Sequence, residues 1–348
     1  MAVFAMAAVL ALAAVPARAR VSNPRPDGYH LARVIRLGGA TGWDYMALDS
    51  ARGHLFISHG THVLVFNTRT DKVIGDIPNT LGVHGIALAP KLDRGFTSDG
   101  RSQEVTIFSL STLRTIGHAH VGGKIPDCIV YDPTTQRVFT INGGSDTSTA
   151  IDARNGKVIG TFPLGRPGQW PEYATADGRG HLYDNLSSAS ELLEIDARRL
   201  KVIHRWPLAP CQHPSGMAID TVHRRLFVGC HNDMMAIVNA VTGKVLQTVP
   251  IAAGVDANRY DPGTRLAFSS NGAGTLTVVR EVTPSHFVLL GNVTTQKGAR
   301  TMAVDTITHT VYEDTATFRP VPPGARRQSY HHRGEMVPGS FRLLIIPR

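Results

Sequence analysis

The chain has 348 residues, 42% hydrophobic and 18% charged, with Gly 34 and Pro 21. That composition supplies apolar surface for a full core and many turns, and it excludes a fold built on long, charge-striped amphipathic helices. The formal net charge of +9 favours anionic partners, yet Lys and Arg are scattered and concentrate only between Arg319 and Arg333.

Ala2 to Val15 is an unbroken apolar run, followed by Pro16 and then Ala17-Arg18-Ala19. A run of this length before a small-x-small site reads as a secretory signal peptide, although no Lys or Arg precedes it. It falls short of the about 20 residues of a membrane span. The expected organisation is a signal peptide over residues 1–19, a polar linker over 20–29 and one domain over 30–348, in a periplasmic or secreted monomer without a transmembrane anchor.

Repetition is the strongest signal. Short apolar stretches end at Asp49, Ala89, Asp132, Asp177, Asp220, Asp261 and Asp305, at spacings of 40, 43, 45, 43, 41 and 44 residues. Such a period marks a repeat architecture. After each anchor comes a turn and a strand with an aromatic residue at a fixed place: Phe56, Phe96, Phe139, Tyr183, Phe227, Phe268 and Tyr312. A polar loop follows, then strands such as His62 to Asn67 or Glu191 to Asp196, a tight turn such as Asn155-Gly156-Lys157, and a closing strand. Period-2 alternation, β-branched residues and Gly/Asp turns are what half-buried antiparallel strands need. The fold class is therefore all-β: a seven-bladed β-propeller of four-stranded antiparallel blades. A β-sandwich leaves seven units with aligned aromatics unexplained. The last unit lacks a strand after the Pro/Arg/His-rich insertion at 319–339. An N-terminal strand within His30 to Gly38 is expected to supply it, closing the ring and removing two exposed edges.

Distinct segments stand out along the blades, among them Gly42-Trp43-Asp44-Tyr45, Gly82-Val83-His84-Gly85, Pro214-Ser215-Gly216, Gly229-Cys230-His231-Asn232, Phe268-Ser269-Ser270-Asn271-Gly272 and Val337-Pro338-Gly339-Ser340-Phe341. Together they resemble the YncE-like, YVTN-repeat family of bacterial periplasmic propellers over essentially all of the mature chain. The family's Tyr-Val-Thr-Asn strand end survives in degraded form, as in Phe139-Thr140-Ile141-Asn142, and His59, Asp99 and Cys230 stand where other blades carry Asn. The resemblance implies an envelope binding or scaffold role and makes DNA binding a further reading.

In a propeller, loops entering the innermost strand and loops leaving the second strand share one face. The position five before each anchor holds Asp44, His84, Asp127, Glu172, Ser215, Asp256 and Arg300, and the ends of the second strands add His59, Asp99, Asn142, Asn185, His231, Asn271 and Asp314. Trp43 and Trp170 fall near the same mouth, where they either stack on a ligand or pack between blades. Facing carboxylates repel unless a cation, a proton or Arg300 compensates. A divalent cation on Asp44, Asp127, Glu172 and Asp256 is the one cofactor this pattern admits, with His59, His84 or His231 extending it to a transition metal. The alternative is a mouth that is polar because it faces water. Cys211 and Cys230 belong to the same face of blade five, 19 residues apart, and are expected to form a disulfide; Cys128 reads as buried.

No Cys-x-x-Cys, His-Glu-x-x-His, Gly-x-Ser-x-Gly or P-loop is present. Three function classes remain: a binding or scaffold protein whose small-molecule or envelope-protein partner docks at the channel mouth, a metal-dependent, lactonase-like hydrolase, and nucleic-acid binding. The last expects interleaved aromatics, which are only 7% of the chain.

Overall fold

A computed structural model describes residues 25–39, 42–320 and 335–348. The predicted signal peptide at 1–19 and most of the 319–339 insertion lie outside the described residues. The rest forms seven four-stranded antiparallel sheets in a ring, the seven-bladed propeller expected from the repeats.

Blades one to six each use four consecutive strands. Blade four shows the plan: innermost Pro171–Ala176, then His181–Leu186, Glu191–Asp196 and outer Lys201–Pro207. Blade seven takes Thr301–Asp305 and Thr310–Thr315, then the C-terminal Arg342–Ile346, and borrows its outer strand, Arg33–Arg36, from the N-terminus. Arg33 pairs with Ile345 and Arg36 with Arg342, so the ring closes on the two chain ends in register. Asp27 adds an ionic clasp, accepting from Arg280 of blade six at 2.5 Å and from Arg348 at 3.0 Å. Tyr29, at the end of the segment expected to be a polar linker, is fully buried against Phe268.

The anchor aspartates have a local cause. Each accepts a hydrogen bond from a backbone N–H two or three residues on: Asp49 from Arg52, Asp132 from Thr134, Asp177 from Arg179, Asp220 from Val222, Asp261 from Gly263 and Asp305 from Ile307. The carboxylate thus folds the turn between the first two strands. Blade two has Ala89 at this point and turns through the short 3₁₀ helix Pro90–Leu92.

The core is divided. Seven clusters of buried side chains lie one at each junction between neighbouring blades. All seven repeat aromatics are buried, and Phe56 meets Phe108 at 5.5 Å across the first junction. Each such ring contributes about 2–3 kcal/mol of burial. Cys211 and Cys230 are bonded, with Cα atoms 5.4 Å apart, and Cys128 is free and buried, as expected. The described ends of the insertion meet at its base, where Phe318 pairs with Met336 and Arg319 contacts Glu335 at 3.2 Å.

Two outcomes follow. Replacing Cys211 and Cys230 together by Ala will lower unfolding free energy by about 3 kcal/mol through lost loop constraint, read from urea denaturation midpoints. Removing the chain through Arg36 will strip the outer strand from blade seven, lower the melting temperature and produce concentration-dependent aggregation, read by light scattering.

Candidate functional site

Innermost strands run from one face of the ring to the other, so the residue five before each anchor comes to the mouth. Asp44, His84, Asp127, Glu172, Asp256 and Arg300 line one cavity of about 490 Å³ there, with Trp43, Tyr45 and Trp170. Arg101 sits on its exposed rim.

The backbone of this mouth is latched by the fifth residue of the second strands. Ser98 of blade two donates to the Asp127 carbonyl of blade three, Asn185 of blade four to the Ser215 carbonyl of blade five at 2.5 Å, and Ser270 of blade six to the Arg300 carbonyl of blade seven. Ser58 accepts from the Asp44 amide at 2.9 Å. Glycine permits the close approach. A Cβ on Gly216 would lie 2.5 Å from the Asp256 carbonyl, and one on Gly85 2.8 Å from that of Asp127.

The side chains form two pairs and a remainder. Arg300 is ion-paired with Asp256 and lies 4.0 Å from Asp44. His84 meets Asp44 at 2.7 Å and Asp127 at 3.8 Å. Burial opposes charge on His84, but the Asp44 hydrogen bond and the field of Asp127, Asp44 and Glu172 push its pKa up to about 9. Among the described residues Glu172 makes no ion pair, and it accepts from Trp170 Nε1 at 2.8 Å. Burial, then Asp127 and Asp44, push its pKa up to about 8, so it holds a proton at neutral pH. Burial also raises Asp127, against the pull of His84.

Donor atoms of Asp44, His84 and Asp127 lie within 4.8 Å of one another, a nitrogen-and-oxygen set suited to a transition metal. The all-carboxylate set expected from the sequence is thus reshaped. All four carboxylates reach the cavity, but Asp256 is neutralised by Arg300 and Glu172 stands apart from the close trio.

Other predicted residues stand back from the cavity, apart from Trp43 and Trp170, which line it. Ser215 is buried and donates to Asp256 Oδ1 at 3.3 Å, a positioning contact. His59 is buried and stacks on Phe341 at 4.6 Å; burial pushes its pKa down to about 4. Asp99 is buried within blade two, bonded by Thr97 at 2.8 Å and Thr106 at 2.6 Å, and burial raises its pKa to about 6. Alternation accounts for both, since the sixth residue of a strand shares the face of the second and fourth, here Leu55 and Ile57 for His59. His231 is half-buried beside the loop of Gln212 and His213. Asn142 and Asn271 bond within their blades, and buried Asp314 accepts from Thr301. Trp43 packs on Phe341 at 5.2 Å, while Trp170 is exposed, its left-handed backbone (φ +53°) fixed by Asp146, which accepts from the Trp170 and Gly168 amides at 2.8 Å.

The floor of the cavity escaped the sequence reading. Tyr45 and Tyr173, each next to a mouth carboxylate, stack at 5.6 Å, and Arg259 donates to the Tyr173 hydroxyl at 2.6 Å. The signal was present as tyrosine at the same repeat position in blades one and four, but their contact spans 128 residues and exists only in the closed ring.

No protein-family model matches the chain, and no curated protein matches it. Solved structures do. A chain of hydrazine synthase from Kuenenia stuttgartiensis is similar at 14% identity over 79% of this chain and 92% of that one, with a TM-score of 0.68. The WD40 repeats of RRP9 align at 8% identity over 94% and 99%, TM-score 0.76. A chain of the mitotic checkpoint complex aligns at 13% identity over 98% and 99%, TM-score 0.72. At these identities the likeness shows the WD40-like propeller fold alone.

The protonated Glu172 has a measurable consequence. Its pKa is raised on folding, so the folded state binds the extra proton between the ordinary carboxyl range and about 8. Stability therefore falls as pH rises through that window, by at most about 1.4 kcal/mol per pH unit for one proton. Urea midpoints at pH 5 and pH 8 will differ less for Glu172→Gln than for the unsubstituted protein.

Proposed function

We propose that the chain is an exported binding protein, YncE-like in setting, that takes a small positively charged ligand into the polar mouth of its channel. The observation that carries this reading is the charge arrangement of the cavity: four carboxylates from four blades face two interior cations, and the His84 imidazole stands 3.8 Å from Asp127, while Glu172 makes no ion pair among the described residues. A ligand ammonium or metal cation placed there relieves the repulsion among them. Trp170 offers an exposed aromatic face at the rim, which suits an organic cation. The disulfide supports an oxidising compartment, and among the described residues no helix is long and apolar enough to cross a membrane. The acidic cavity opposes a phosphate ligand, which weighs against nucleic acid at this mouth.

A second reading, a metal-dependent hydrolase, is favoured by the Asp44, His84 and Asp127 trio. These residues would hold a divalent ion, whose bound water supplies a nucleophile. Glu172, close in field to Asp127, would then hold or release a proton beside it.

Thermal-shift titration with putrescine, CaCl₂, MnCl₂ and ZnCl₂, with elemental analysis of the purified protein, separates these readings. A ligand at a hundredfold its Kd adds about 2.7 kcal/mol of stability. The gain will disappear in Asp127→Asn/Glu172→Gln. Stabilisation by putrescine alone supports the organic cation, a tightly held metal supports the hydrolase, and no stabilisation by any of the four with no metal retained overturns both.

A further inference from the structure

The far end of the channel has a different chemistry. Two residues before each anchor the innermost strands carry Ala47, Ala87, Val130, Thr175, Ala218 and Ala303, small or apolar residues that fit the crowded centre of the ring. Blade six alone has an arginine there, Arg259. It lines a second cavity, of about 360 Å³, in the far half of the channel. The walls include Leu48, Ile86, Met217, Ile219 and Val304, and among the described residues Arg259 is the only charged one lining it.

Arg259 is half-buried and has no carboxylate in ion-pair range among the described residues. Its Nη1 donates to the Tyr173 hydroxyl at 2.6 Å and the Asn258 carbonyl at 2.8 Å, and its guanidinium lies 5.6 Å from the Tyr173 ring centre. Those contacts fix the group but use only Nη1. Nε and Nη2 make no hydrogen bond to the described protein and are not sealed within it. An arginine carries five N–H donors, so three remain. Arg300, the other channel arginine, is by contrast matched by Asp256.

We propose that this far cavity is a second ligand site, for a small organic carboxylate with an apolar body. The free edge of the guanidinium presents parallel donors that a carboxylate accepts in bidentate fashion. Apolar side chains such as Leu48, Ile86 and Val304 flank a short hydrocarbon body, with Tyr173, Thr175 and Tyr260 among them, and a cavity of this size is at the small end of ligand sites. A single cation in apolar surroundings matches a monoanion; a doubly charged phosphate would bury unmatched charge. Tyr45, which lines the acidic mouth, stacks on Tyr173, which lines the far cavity.

Isothermal titration calorimetry of the purified chain with sodium octanoate tests the proposal, with octanol and octylammonium chloride as comparators. Octanoate will bind at about one equivalent, and the two comparators will bind at least about tenfold more weakly. Arg259→Met will lose at least about tenfold in octanoate affinity, and Arg259→Lys will keep more of it. Thermal melts confirm that each variant is folded; if Arg259→Met is not, the octanoate–octanol comparison decides. Absence of octanoate binding, equal binding of octanol, or undiminished binding in folded Arg259→Met overturns the site.

Discussion

The structure depends on the junctions between blades. Among the described residues, apolar side chains are buried in seven separate clusters, each belonging to two neighbouring sheets. A blade alone would leave both of its faces open to water. The arrangement is satisfied only when the last blade meets the first, which is why pairing of Arg33–Arg36 with Arg342–Ile346 matters beyond its four residues. The last junction is filled by groups from both chain ends and the first blade, including Phe341, Leu343, Trp43 and Phe66.

Ring closure also makes the chemistry. Seven innermost strands converge, and at the close approaches glycines such as Gly85 and Gly216 leave room for the neighbouring backbone. Serine and asparagine latches from one blade hold the mouth residue of the next. Charges contributed by different blades are thereby fixed a few ångströms apart. Burial and mutual repulsion then set their state: Glu172 keeps a proton, His84 is cationic beside Asp44, and Arg300 neutralises Asp256.

The two ends of one channel are electrostatically opposite. The near cavity is rich in carboxylates within a chain of formal charge +9, and the far cavity holds one arginine among apolar walls. The stacked tyrosines mark the boundary, Tyr45 lining the one and Tyr173 the other. Whole-protein charge acts at long range and is screened by salt, whereas the contacts inside each cavity decide which ligand is retained.

The repeat spacing, the aligned aromatics and the anchor aspartates determined the propeller, the number of blades, the strand closing the last one and the face on which Asp44, His84, Asp127, Glu172, Asp256 and Arg300 gather. Those features are local or periodic, because a strand's alternation and an Asp-turn are fixed by neighbouring residues. The same alternation turns His59 onto Phe341 of the neighbouring blade and Asp99 onto Thr97 and Thr106 of its own, a consequence readable from Leu55 and Ile57 but dependent on knowing which face is buried. What only the tertiary structure decided are the partnerships across the ring. Asp256 with Arg300, His84 with Asp44, Tyr45 over Tyr173 and Arg259 with its free donors join residues of different blades. Such contacts leave no local pattern, because their distances are set by closure of the ring and not by separation along the chain.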